Sequence, residues 1–100
     1  MDYELKEISP SEVKSLLKDG KKISLIDVRE DEEIAEGKIP EAAHIKMGEI
    51  PDRLNEIDKN EEHIIICRSG RRSENVALFL QDKGYKVINM SGGMLEYNQD

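Results

Sequence analysis

Five short apolar runs alternate with segments that carry helix signals. This order predicts an α/β fold: a central, mostly parallel five-stranded sheet with helices on both faces. Two further observations sharpen the expectation. "HIIIC" (63–67) is the most apolar run and is Ile-rich, as a central parallel strand buried on both faces would be. The only cysteine, Cys67, ends that run, and open α/β sheets build their sites at the carboxyl ends of strands. One hundred residues is the length of a single domain, 1–100, with one modest core.

The elements follow in chain order. "YELKEI" (3–8) reads as a peripheral first strand, because Tyr3, Leu5 and Ile8 only loosely alternate. "SPSE" then signals a helix: Ser9 as N-cap, Pro10 at the first helical position, Glu12 completing a capping box. Val13, Leu16 and Leu17 form its apolar face and Gly20 suits its end. "ISLIDV" (23–28) is a compact buried strand. Asp31, Glu32 and Glu33 suit the first turn of a short helix, a solvated acidic start with no common centre for a metal, and Gly37 and Pro40 break it. "AHIKM" reads as a short strand and "IPDRLNEID" as a short helix with Leu54 and Ile57 inward. After Cys67 a helix is expected from Arg72 or Ser73, with Val76, Ala77, Phe79 and Leu80 on one broad face and Gly84 at its end. "KVINM" (86–90) is the last strand and Gly92–Gly93 a turn; whether a final helix follows is open.

Composition excludes several classes. Apolar and charged residues each make up 37%, which fits a soluble globular chain rather than a disordered one. The net charge of −7 argues against nucleic-acid or anionic-membrane partners. No apolar run approaches the roughly 20 residues of a membrane span, and "MDYELKEIS" lacks the apolar stretch of a signal peptide. A lone Cys forms no internal disulfide, so a reducing cytoplasm is expected. His44 and His63 have no metal-like spacing with Cys67, and neither a metal nor a cofactor is expected. His63 reads as an exposed strand end and His44 as a packing residue.

The chemistry concentrates after Cys67. Three of the five arginines, Arg68, Arg71 and Arg72, fall within the next five positions. The turn must be sharp, and Gly70 supplies a backbone conformation that other residues resist. A curled loop feeding a helix start points N–H groups inward as an anion cradle. A free thiol with a pKa of about 8.5 is roughly 3% ionised at neutral pH. Lowering it to about 6.5 ionises roughly three quarters, for about 2.7 kcal/mol of preference for the anion. A helix N-terminus supplies roughly 0.3–2 kcal/mol of that, and neighbouring arginines and N–H groups the rest. The plainer reading is a small buried apolar residue, but three arginines on a buried connection need an anion or solvent to face.

Cys67-Arg68-Ser69-Gly70-Arg71-Arg72-Ser73, between an Ile-rich strand and a helix, resembles the active-site loop of the rhodanese-like sulfurtransferases. "LIDVRE" (25–30), with Asp27 and Arg29, "EGKIPEAAHI" (36–45) and "GGMLEY" (92–97) resemble three further family segments, in the right order and spacing. The resemblance implies a three-layer rhodanese-like sandwich. It also implies a persulfide carried on Cys67, taken from thiosulfate or another small anionic donor and passed to an external thiol, a protein acceptor or cyanide. In that scheme the N–H groups from Arg68 to Arg72 hold the persulfide anion, and Arg68, Arg71 and Arg72 draw in the donor. Arg72 matches the family's loop-closing arginine, and Ser73 helps start the helix. Lys38, Glu41 and Tyr97 depart from the residues usual in the family, all outside the loop.

Asp27 and Arg29 read as a structural ion pair pinning the connection after the strand. A tyrosine-phosphatase loop places five residues between Cys and Arg. Here four separate Cys67 from Arg72, which suits one extra sulfur atom better than a phosphate. A rhodanese-like binding or sensing module with weak catalysis is the alternative. A sulfenic-acid switch would need an external thiol, as would discharge of the persulfide, because the chain has no second Cys.

Overall fold

The computed structural model describes residues 4–99. Five strands form one sheet: β1 (Lys6–Ile8), β2 (Ser24–Asp27), β3 (Ala43–His44), β4 (Glu62–Ile66) and β5 (Lys86–Met90). Their order is β1-β5-β4-β2-β3, and each neighbouring pair is parallel. The expected "mostly parallel" sheet is therefore parallel throughout these pairs. Tyr3, the first residue of the run assigned to β1, lies outside the described residues.

β4 is central because its three isoleucines have apolar partners on both faces. Ile65 packs in one cluster with Val76, Ala77 and Leu80 of helix α3 (Arg71–Asp82). Ile64 and Ile66 point the other way, into a cluster with Val13 of α1 (Pro10–Lys18) and Met94 of α4 (Gly93–Tyr97). This alternation produces the three layers. Each fully buried isoleucine contributes roughly 1.5–3 kcal/mol of transfer free energy.

The start of α1 follows its sequence signals. The Glu12 N–H donates to Ser9 Oγ at 3.1 Å, the Ser9 N–H donates to Glu12 Oε1 at 3.4 Å, and Pro10 is the first helical residue. Short helix α2 (Asp31–Ala35) follows β2 with its acidic first turn.

Several expectations change in detail. "AHIKM" contributes only two residues of strand, and the following helix is a 3-10 segment, Met47–Glu56, kinked at Arg53. Pro51 inside that segment has no N–H to donate, which disfavours a continuous α-helix. Helix α3 starts at Arg71, one residue before the earlier of the two expected starts. The final helix left open by the sequence is present: Gly92 caps α4.

His63 is not an exposed strand end. It is 3% exposed, its Nδ1 lies 2.6 Å from Ser24 Oγ and its Nε2 lies 2.7 Å from the Asp58 carbonyl. A carbonyl on one side and a hydroxyl on the other satisfy both ring nitrogens, so the ring can be buried.

Candidate active site

Cys67 leaves β4 with no exposed surface. Its main chain is fixed from α4: the Met94 N–H donates to the Cys67 carbonyl and the Leu95 N–H to the Arg68 carbonyl, each at 2.9 Å. Gly93 makes this approach possible. A Cβ there would overlap the carbonyl of Arg68, and Gly93 also has φ +58°. Gly93→Ala is expected to lower stability by at least 1–3 kcal/mol, as overpacking does, and to loosen the Cys67 turn. A urea titration checks the first effect and cleavage of the turn by a protease the second.

Gly70 closes the turn. Its φ of +95° and a Cβ position only 3.0 Å from the Gly92 nitrogen both oppose a side chain there. The Gly70 N–H donates to Cys67 Sγ at 3.1 Å. Ser73, in the first turn of α3, places Oγ 3.2 Å from Sγ. Ser73 therefore contacts the sulfur itself, a role that its expected part in starting the helix did not include. Burial pushes the Cys67 pKa up. Hydrogen bonds from the Ser73 hydroxyl and from the backbone N–H groups of Ser73, Gly70 and Ser69 push it down, and the net shift is downward. Donors aimed at sulfur thus outweigh desolvation.

The arginines divide into two kinds. Arg68 is exposed on the turn and Arg71 at the first position of α3. Arg72 is half-buried and engaged: its Nη1 and Nη2 donate to Glu33 Oε1 and Oε2 at 2.7 and 2.6 Å. Part of the acidic run read as solvated is therefore tied to the loop. The Arg72 guanidinium holds the Glu33 carboxyl down at about 2. A depressed carboxylate contributes stability above its unfolded value, 4.5, and that contribution is lost as pH falls toward 2. Glu33→Gln should lower the thermal midpoint at pH 7 by roughly 4 °C, on the scale of a partly exposed pair. The gap between the two proteins should close as pH drops from 4.5 toward 2, as melting curves across that range would reveal.

Asp27 and Arg29 form the ion pair read from the sequence. Arg29 Nε donates to Asp27 Oδ1 at 3.0 Å and Nη2 to Oδ2 at 2.9 Å, with Asp27 0% and Arg29 5% exposed. Arg29 Nη2 also donates to the Gly37 carbonyl at 2.9 Å, and Nη1 to the Glu33 carbonyl at 3.5 Å. The pair thereby ties down the C-terminal half of α2, the helix that presents Glu33 to Arg72. A cavity of about 180 Å³ lies beside it, lined in part by Arg29, Glu33, Arg68 and Leu95. His44 Nε2 lies 2.7 Å from the Arg29 carbonyl, bracing the same connection. Lys38 Nζ donates to the Ala42 carbonyl at 2.7 Å, so this departure from the family pattern still ties down its loop.

Asn89 and Glu7 were not among the expected site residues. Asn89, on β5 and 1% exposed, accepts from Ser73 Oγ at 2.5 Å through Oδ1 and donates through Nδ2 to the Gly70 carbonyl at 3.2 Å. A second Nδ2 contact, also 3.2 Å, reaches Glu7 Oε2. One polar residue inside the apolar run "KVINM" was the available signal. Among the described residues, no cluster of His, Cys, Asp and Glu is arranged to hold a metal, and no helix is long and apolar enough to cross a membrane.

Known proteins match this architecture. YtwF of Bacillus subtilis, whose name assigns it provisionally to the sulfurtransferases, is 49% identical over 94 residues, covering 94% of this chain and 91% of that one. A sulfurtransferase of Allochromatium vinosum is 38% identical, over 91% of this chain and 86% of its own. The crystal structure of a rhodanese-like domain protein from Staphylococcus aureus superposes with a TM-score of 0.91 at 41% identity, covering 96% and 94% of the two chains. The family model for the rhodanese-like domain matches residues 9–100. A parallel sheet ending in a cysteine ringed by N–H donors, with this match over nearly its whole length, belongs to the rhodanese-like domain family.

Proposed function

We propose that the chain acts as one rhodanese-like domain, a sulfurtransferase of the thiosulfate type, with Cys67 as nucleophile and sulfur carrier. The observation that carries this reading is the convergence on Cys67 Sγ of the Ser73 hydroxyl and the N–H groups of Ser69, Gly70 and Ser73, with a net downward shift of the thiol. In the first half-reaction the Sγ lone pair attacks the outer sulfur of thiosulfate. The S–S bond of the donor breaks, its electron pair leaves with sulfite, and Cys67 is left as a persulfide anion. In the second, a thiolate or cyanide attacks the outer sulfur and Sγ departs as thiolate. No electrons are gained or lost overall, so no cofactor is needed.

Arg68, exposed on the turn, and Arg71, exposed at the start of α3, attract the anionic donor, while Arg72 closes the loop through Glu33. The N–H groups of the turn hold the persulfide anion. The acceptor is external, because Cys67 is the only cysteine. A reducing cytoplasm keeps that thiol free. Sγ has no exposed surface, so uptake requires the turn to part transiently, and alkylation should slow steeply as the reagent grows.

The test is an intact mass after incubation with thiosulfate. A gain of one sulfur atom, removed by cyanide as thiocyanate, is the expected result. No gain at any donor concentration would overturn sulfur transfer and leave a binding or sensing module.

A further inference from the structure

The Ser73 hydroxyl has one proton and two claimants. Asn89 Oδ1 lies 2.5 Å away and Cys67 Sγ 3.2 Å away. Asn89 cannot turn its amide to relieve the competition. Its Nδ2 is committed to the Gly70 carbonyl and to Glu7 Oε2, both at 3.2 Å, so Oδ1 must face Ser73. Hence, when Sγ is neutral, the Ser73 O–H points to Asn89 Oδ1 and a thiol proton can point at Ser73 Oγ. When Sγ is anionic, the hydroxyl must rotate to it and leave Oδ1 without that donor.

We propose that Asn89 is a positioning residue for sulfur transfer, an acceptor of the Ser73 hydroxyl hydrogen bond whenever Cys67 Sγ carries no charge, which gives up that bond when Sγ becomes anionic. This rests on the reading of Cys67 as the sulfur carrier. Loading moves the negative charge from Sγ to the outer sulfur, and the Ser73 proton swings back to Asn89, which favours the loaded state. Discharge returns charge to Sγ, and the hydroxyl rotates to meet it, stabilising the leaving thiolate. No bond to sulfur is made or broken by Asn89 itself. The buried amide acts through the Ser73 hydroxyl.

The charged groups around this network are few. Arg72, paired with Glu33, lies on the α3 side. Arg68 is on the turn, and Glu7, Arg71 and Glu74 border a surface cleft that Asn89 also lines. None of them is altered in the test.

The test follows thiolate ultraviolet absorbance across pH, subtracting the same protein carrying Cys67→Ser. Asn89→Leu, with the same branched outline and no acceptor, should lower the thiolate midpoint by about one unit, a tenfold change in the thiol–thiolate ratio. In a Ser73→Ala background that shift should vanish, because Asn89 acts through the hydroxyl. Asn89→Asp provides a second reading if the leucine variant does not fold. Its carboxylate holds the Ser73 proton harder and should raise the midpoint more with Ser73 present than in the Ser73→Ala background. Equal shifts in both backgrounds, or a midpoint that rises in Asn89→Leu, would overturn the proposal and leave Asn89 as a loop brace only. The titration needs no sulfur donor. An absent mass gain with thiosulfate would therefore defeat the transferase reading separately from this one.

Discussion

Cys67→Ser will take up no sulfur from thiosulfate, and its transfer rate to cyanide will fall to the uncatalysed background. The expected loss is on the order of a million-fold, the scale seen when an enzyme loses its nucleophile. Serine preserves the size of the side chain, and its hydroxyl can still accept from the Gly70 N–H and pair with Ser73. What it lacks is an acidic, polarisable atom. A hydroxyl stays protonated under donors that suffice to ionise a thiol. The melting temperature should stay close to that of the parent, so lost activity with an intact fold would assign the chemistry to the sulfur. Substantial sulfur uptake by Cys67→Ser would move the carrier elsewhere in the chain.

Asp27→Ala should be the most damaging substitution away from the cysteine. It leaves the Arg29 guanidinium, 5% exposed, without its carboxylate. Removing one partner of a buried pair costs about 3–5 kcal/mol, because the remaining charge is neither hydrated nor matched. Against a total stability of roughly 5–15 kcal/mol this is severe, and a fall in melting temperature on the order of 20 °C is expected. Removing both charges with Asp27→Ala and Arg29→Leu should recover part of the loss. Recovery stays incomplete because Arg29 also donates to the Gly37 and Glu33 carbonyls. If the single and double variants melted together, the penalty would come from lost packing rather than from an unpaired charge. Because Arg29 anchors α2 and α2 presents Glu33 to Arg72, sulfur transfer should fall in the single variant even well below its melting temperature.

Much of this architecture was legible from residue order. Three consecutive isoleucines before Cys67 demanded apolar partners on both faces of a strand, and the sheet supplies them from α3 on one side and α1 and α4 on the other. Ser9, Pro10 and Glu12 specify a helix start by purely local hydrogen bonding, so that boundary was recoverable without tertiary information. Gly70 was legible for the same reason, since a tight turn between strand and helix needs a positive φ.

What could not be read depends on contacts distant in sequence. Glu33 and Arg72 are 39 positions apart, and nothing in an acidic helix start says which arginine one of its carboxylates will meet. His63 has the pattern of an exposed strand end. Its burial follows from Ser24 across β2 and from the Asp58 carbonyl, neither of which marks the local sequence. Asn89 is the clearest case. A polar residue in an apolar strand signals a buried partner, but only the parallel sheet order places it beside both Ser73 and Gly70.

The decisive experiment is the ionisation of Cys67 in the unmodified protein, read from thiolate absorbance between acid and alkaline pH with the Cys67→Ser spectrum subtracted. With the Ser73 hydroxyl and the turn's N–H groups aimed at Sγ, the midpoint should lie below that of a free thiol, about 8.5. A midpoint at or above that value would mean that burial prevails over the donors around Sγ, and the loop would not be built to hold an anion there.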